Sequence, residues 1–186
     1  MTNFQILCTG NPAHRGIAQA VSRLFPTAKF ISRSNGYDLS TETGLDKLKI
    51  IIKDYNVLIN NAYVDSGVQE TILKLAHESW KTGHVFNIGS ISEHSKYSWA
   101  DPEYAIEKQK LRELSLELGD EKFKTTHMVV GGFQAASTGS DNTMDPLHIA
   151  KTIQWVLNAE FQVPVIGVEQ MTDHIREYFN KQREND

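Results

Sequence analysis

Short apolar runs alternate with stretches of helical period along the whole chain, and that alternation leaves few folds open. "FQILCT" is apolar enough to be a strand, and Ile17, Ala20, Val21 and Leu24 then recur at helical spacing. "AKFIS" is a second short strand, and "YDLS" has the look of the stub of a third. Leu45, Leu48 and Ile52 mark a helix before the strand "NVLINNA". Val68, Ile72, Leu75 and Ser79 mark another before "HVFNIGS". In "DPEYAIEKQKLRELSLEL" the residues Leu111, Leu114 and Leu118 form a helical stripe, and the strand "THMVVGGF" follows. Asp145 and Pro146 read as an N-cap and a first helical position ahead of Ile149, Ile153 and Val156. "VPVIGV" is a last strand, and Met171, Ile175 and Tyr178 suggest a C-terminal helix before a polar tail. Strands apolar on both faces need cover on both faces. The chain therefore reads as α/β, a doubly wound parallel sheet with helices on either side.

The bulk properties narrow the function. The 186 residues suit a single domain, 1–186, with a proper core. A net charge of −4 provides no basic footprint, so no nucleic-acid partner is expected. No apolar run is long enough to span a bilayer, so no membrane is expected either. "MTNFQILCTG" lacks the charged and apolar regions of a signal peptide. Cys8 is the single cysteine and forms no internal disulfide, which favours a reducing compartment. A cytoplasmic protein fits these features.

Doubly wound sheets bind ligands at the carboxyl ends of their strands, and the informative residues cluster there. Gly10 and Gly16 bracket the turn after the first strand. Such a turn lets backbone approach a pyrophosphate at a helix N-terminus, although it also serves as a plain strand-to-helix connection. Arg33 ends the second strand, where dinucleotide folds place a group that contacts the adenosine ribose or its 2′-phosphate. Arg15 in the first turn offers a second guanidinium, and Asp38 lies a few residues beyond Arg33. Asn60, Asn61, Ser90 and Ser92 are polar residues at strand ends, and each needs a hydrogen-bond partner. Tyr104 and Lys108 stand four apart on one helical face, so a phenol and an ammonium lie side by side. "NIGSIS" is not the GxSxG elbow of a serine hydrolase. The histidines lack HExxH spacing, and no metal is expected.

Together these motifs resemble the short-chain dehydrogenases/reductases over nearly the whole chain. "TG…GIA" is similar to that family's opening glycine motif, "NNAY" to its NNAG, "NIGS" to the strand bearing its serine, and "YAIEK" to its YxxxK. "VVGGF" is similar to the segment that follows the next strand. Ser90 precedes Tyr104 by 14 positions, close to the family's spacing. The resemblance implies a Rossmann-like fold and hydride transfer between a nicotinamide cofactor and a small carbonyl or alcohol substrate. Tyr104 is then the general acid/base, its proton loosened by Lys108 and by the cationic oxidised nicotinamide, and Ser90 holds the substrate oxygen. Gly10, Arg15, Gly16, Ile17, Arg33, Asp38, Asn60, Asn61, Ala62, Tyr104, Lys108 and Gly132 are the implied cofactor contacts. Arg33 and Arg15, converging on a 2′-phosphate, imply NADP(H) in preference to NAD(H). Asp38 is expected to border the adenine. The family's habit of pairing through the YxxxK helix and its neighbour implies a homodimer or homotetramer. Val68, Leu75 or Trp80 would then face the partner.

The chain also departs from the pattern. Five residues separate Gly10 from Gly16, a longer turn than usual, similar to the enoyl-reductase branch. That branch spaces its tyrosine and lysine farther apart than Tyr104 and Lys108, so its substrate is not carried over. Gly131 stands where the family has proline. Ala136 takes the place of a common threonine, with Ser137 or Thr138 as substitutes. The chain is shorter than typical members; the helix between the second and third strands is expected to be nearly absent. Neither Asp65 nor Ser66 convincingly replaces the relay asparagine, and no fourth catalytic residue is assigned. The alternative is a non-catalytic NADP-binding sensor or scaffold with a reductase-like fold.

Overall fold

The structure is a computed structural model that describes residues 4–64, 67–94, 101–133 and 144–170. Strands β1 (Ile6–Thr9), β2 (Lys29–Ile31), β3 (Val57–Asn60), β4 (Gly83–Ile88), β5 (Phe123–Val130) and β6 (Val165–Val168) alternate with helices. The helices are α1 (Ile17–Leu24), α2 (Glu42–Ile51), α3 (Val68–Ser79), α4 (Pro102–Leu118) and α5 (Leu147–Leu157). All six strands run parallel in the order β2-β1-β3-β4-β5-β6. The order reverses between β1 and β3, so their carboxyl ends open a crevice where the chain turns back across the sheet.

The period of two along the strands explains the two cores. Ile6 and Cys8 of β1, with Val57 and Ile59 of β3, face α1 and α5. Leu7 and Leu58, one residue out of phase, face α2, α3 and α4 with Leu48, Ile72 and Leu111. The central strands β1 and β3 thus bury both faces, as their continuous apolar runs require. Burial of one such aliphatic side chain is worth about 1.5–3 kcal/mol, so either layer alone would leave half of this drive unused.

Two sequence expectations need correction. "YDLS" is not a strand. Ser32 and Asn35 form a reciprocal cap on a 3-10 turn at Arg33–Asn35, and Gly36 closes it at φ 89°. Asp38 then accepts hydrogen bonds from the Ser40 N–H and hydroxyl, and Thr41 caps α2. These local side-chain bonds give the backbone partners that a sheet ladder would otherwise supply. β2 is therefore the outer strand, and the ten-residue α2, with Leu45 and Leu48, leads into β3 as the apolar spacing indicates. The second correction concerns the face assigned to a partner subunit. Val68 and Trp80 are buried in this chain's own core, and Leu75 packs against it. The Trp80 indole N–H donates to the Ile52 carbonyl at 2.8 Å. The suggested C-terminal helix with Met171, Ile175 and Tyr178 lies outside the described residues.

Candidate active site

The crevice is built first by Thr9, the last residue of β1. Its fully buried hydroxyl accepts the backbone N–H of Asn61 and of Ala62, both at 2.8 Å, and lies 3.4 Å from the Ile59 carbonyl. The Asn61 side-chain amide donates back to the Thr9 carbonyl at 3.1 Å. One threonine thus pins the "NNA" turn against the glycine turn. Gly10 adopts φ 130°, and a side chain there would meet Asn61 Nδ2 at 2.8 Å. Gly16 adopts φ 148° as the cap of α1. Both conformations favour glycine. Ile17 opens α1 with its side chain buried in the core, so only its backbone faces the crevice. The free N–H groups of this first helical turn suit a phosphate.

Gly10, Ser32, Arg33, Asp38 and Ala62 line a recess beside this turn. Arg33 Nε is 3.1 Å from Asp38 Oδ2, so the guanidinium already has a carboxylate partner. The Ser40 hydroxyl and N–H, with Arg33 behind them, hold the Asp38 carboxyl below the usual range. Asp38 therefore sits at Arg33 rather than apart from it. Arg15 lines a second recess with Gly16, Gln19, Arg23 and Asp145.

Asn60 is not at the rim. It is fully buried, and its Nδ2 donates to the Gln69 carbonyl at 2.8 Å and to Asn87 Oδ1 at 2.9 Å. Asn87 passes the chain on to Ser115 at 3.1 Å. Gln69 Nε2 donates to the carbonyls of Asn60 and Ile88, and its Oε1 accepts from Lys108 Nζ. Lys108 donates a further bond to the Ile88 carbonyl at 3.0 Å and is only 3% exposed. Gln69 was missed in the sequence. Its signal was a polar residue on the buried stripe Gln69, Leu73 and Ala76 of α3.

Ser90 follows β4 and caps a 3-10 turn at Ile91–Glu93. Its hydroxyl bonds Ser92 and reaches the hydroxyl of Tyr104 on α4. Lys108 Nζ lies over the Tyr104 ring, 5.2 Å from its centre, and over the Tyr63 ring at 5.1 Å. Tyr63, the last residue of "NNAY", sets its ring edge-on to Tyr104 at 5.0 Å and donates its hydroxyl to Glu107 at 2.9 Å. The helix thus brings Ser90, Tyr104 and Lys108 together as the spacing indicates. Burial raises the Tyr104 pKa, a hydrogen bond from Ser90 opposes that, and the Glu93 and Glu107 charges add to it. Burial also lowers the Lys108 pKa, to about 8, because its hydrogen-bond partners carry no net charge.

Gly132 follows β5, and its carbonyl accepts the Met144 N–H at 3.1 Å. A side chain at Gly131 would meet Glu169 Cγ at 2.7 Å, which accounts for glycine where proline is usual. Asp65, Ser66, Ala136, Ser137 and Thr138 lie outside the described residues.

No protein-family model matches the chain, and no curated protein does. Solved structures do match. The chain is similar to the 3-alpha-hydroxysteroid dehydrogenase from Pseudomonas sp. B-0831 complexed with NADH, at 15% identity, 94% of this chain and 99% of that one, with a TM-score of 0.70. A short-chain dehydrogenase from Sphingobium yanoikuyae in complex with NADPH matches at 14% identity, 98% and 94% coverage, and a TM-score of 0.70. The bulky-bulky ketone specific alcohol dehydrogenase from Comamonas testosteroni matches at 15% identity, 100% and 94% coverage, and a TM-score of 0.68. The chain has the fold of the short-chain dehydrogenases/reductases.

Proposed function

We propose that the protein is an NADP(H)-dependent oxidoreductase that interconverts a carbonyl and an alcohol, with Tyr104 as general acid/base. One observation carries this reading: Ser90, Tyr104 and Lys108 meet at the carboxyl end of β4, in a fold whose solved relatives include dehydrogenases complexed with NADH and NADPH. The residues present fit a dinucleotide. Gly10 and Gly16 clear the backbone for a pyrophosphate, the α1 N-terminus supplies N–H groups, and the recess at Arg33 takes the adenosine end. When bound, the nicotinamide supplies or accepts the hydride. Ser90 orients the substrate oxygen and Tyr104 exchanges a proton with it. Lys108, fixed by Gln69 and Ile88, holds its charge beside the Tyr104 ring.

Arg33 supports the preference for a 2′-phosphate, with Arg15 as the second guanidinium. Asp38 opposes it in part, so the net gain for NADP(H) is about 1.5 kcal/mol, or roughly tenfold in affinity. The carbonyl or alcohol is a small molecule. Assembly as a homodimer or homotetramer is part of the same reading, with Ile106 and Leu116 of α4, each 49% exposed, as the apolar groups open to a partner.

The test is cofactor consumption across a panel of carbonyl compounds. Tyr104→Phe should lose at least a hundredfold in kcat while binding cofactor as before. Lys108→Ala should lose both turnover and cofactor affinity. Arg33→Asp should erase the preference for NADP(H) in calorimetric titrations. A Tyr104→Phe protein that turns over at the parental rate would leave the non-catalytic, cofactor-binding reading in its place.

A further inference from the structure

Gln69 stands where a core ordinarily takes an apolar side chain. It shares the buried stripe of α3 with Leu73 and Ala76 and is only 5% exposed. Every polar atom of its amide nonetheless has a partner. Nε2 donates to the Asn60 carbonyl at 2.7 Å and to the Ile88 carbonyl at 3.2 Å, and Oε1 accepts from Lys108 Nζ. The Gln69 backbone carbonyl accepts from Asn60 Nδ2 at 2.8 Å, so the two residues bond reciprocally. These partners also settle which end of the amide is which. Turned over, it would set an NH2 group against an ammonium and its oxygen against two carbonyls.

The Ile88 carbonyl closes a triangle, because it accepts from Lys108 Nζ at 3.0 Å as well as from Gln69. Ile88 ends β4 just ahead of Ser90, and Lys108 lies one turn beyond Tyr104 on α4. Gln69 of α3 thus ties the strand that delivers Ser90 to the helix that delivers Tyr104, with Lys108 at the crossing. The position makes a specific demand. It must donate twice on one side and accept from a cation on the other. A primary amide does both, a carboxylate only accepts, and an alkyl chain does neither. The remaining surroundings of the ammonium are the Tyr63 and Tyr104 rings. The neighbouring Glu107 takes the Tyr63 hydroxyl, and among the described residues no carboxylate bonds Lys108. A buried ammonium is costly without acceptors, so the loss of Gln69 Oε1 would drive Lys108 to seek water elsewhere.

We propose that Gln69 is a positioning residue: its side-chain oxygen holds the Lys108 ammonium against the end of β4 and so sets where that charge stands relative to Ser90 and Tyr104. This rests on the reading of Tyr104 as the acid/base and deepens it with a residue of a different helix. Gln69 touches neither Tyr104 nor the opening of the crevice, so it acts on the reaction through Lys108 alone. Its effect on turnover therefore vanishes once Lys108 is gone, whereas an ordinary packing role would persist.

The experiment follows the lysine ammonium signals by NMR in the full chain carrying nitrogen-labelled lysine, Lys108 being the signal absent from Lys108→Arg. Gln69→Met keeps the length of the side chain and removes the acceptor. Exchange of the Lys108 protons with water should quicken about tenfold in it. Gln69→Glu keeps an acceptor at the same reach, and slow exchange should persist. Both variants lose the donor to Asn60 and Ile88, so both should melt at a lower temperature, and a merely structural role would treat them alike. In turnover, Gln69→Met should lose about tenfold in kcat with the carbonyl KM nearly unchanged, and Gln69→Glu should recover most of that loss. In a Lys108→Met background, Gln69→Met should cost no further kcat; this double variant leaves no stranded ammonium and keeps the test valid if Gln69→Met alone folds poorly. Unchanged Lys108 exchange in Gln69→Met overturns the proposal, and so does an additive loss of kcat in the double variant. A parent protein that reduces no carbonyl, with Lys108 exchange quickened in Gln69→Met, leaves the hold on Lys108 standing and overturns the acid/base reading instead.

Discussion

Thr9 shows how much a single hydroxyl can carry. It accepts two backbone N–H groups from the "NNA" turn. Thr9→Val keeps the shape but strands both donors. The expected cost is roughly 2–3 kcal/mol, seen as a lower urea midpoint with an unchanged m-value. Cofactor affinity should fall with it, because the turn borders the recess at Arg33. The juxtaposition of Tyr104 and Lys108 was suggested by spacing, since residues four apart on a helix must share a face. The contacts of Thr9 and Gln69 were not. Each acts through partners roughly twenty to fifty positions away, and only the sheet brings those partners close. Asn60 misled for the same reason. Its place at a strand end suggested the rim, but Gln69 folds over it and seals it inside. The burial that raises the Tyr104 pKa was equally hidden in the spacing.

At the level of elements, the strands and helices were legible wherever the apolar period was unbroken, and the failures were local. The "YDLS" segment has an alternating look, but its own Asp38, and Ser32, Asn35 and Gly36 just ahead of it, satisfy the backbone locally. The same turn fixes an unusual glycine. Gly44 lies in α2, where alanine would ordinarily stabilise by about 1 kcal/mol. Here an added Cβ would stand 1.8 Å from the Asp38 carbonyl oxygen. Overpacking against backbone should win, and Gly44→Ala is expected to lose roughly 1–3 kcal/mol in chemical denaturation. It should also disturb the Arg33–Asp38 pair and so weaken cofactor binding. In β4, His84 stacks on Phe86 with ring centres 4.2 Å apart and meets Thr126 Oγ1 at 2.9 Å. Burial, aided by Lys124, lowers its pKa from 6.5 to about 4. Above pH 6.5 the ring is neutral in both folded and unfolded chains. Between there and about 4 the unfolded chain takes up a proton that the folded one refuses, so stability falls as the pH drops. With allowance for partial exposure the loss is roughly 2 kcal/mol. His84→Asn should flatten that part of the curve of melting temperature against pH.

Across the molecule, the parallel sheet with two covered faces followed directly from strands that are apolar on consecutive positions. The match to dehydrogenase structures at 12–18% identity shows the same thing from the other side, since the layer pattern persists where individual residues do not. What the sequence hid was the extent of the sheet, because a stub and a turn of equal length look alike until their partners are known. That extent has a consequence for how the molecule behaves in a crowd. With the turn in place of a further strand, the sheet stops at β2, which is three residues long and begins at the exposed Lys29. So short a margin offers few unpaired N–H and C=O groups as a template, and the ammonium discourages another chain from docking there. The loss of an outer strand therefore leaves a blunt margin, one unsuited to runaway stacking between copies at high concentration.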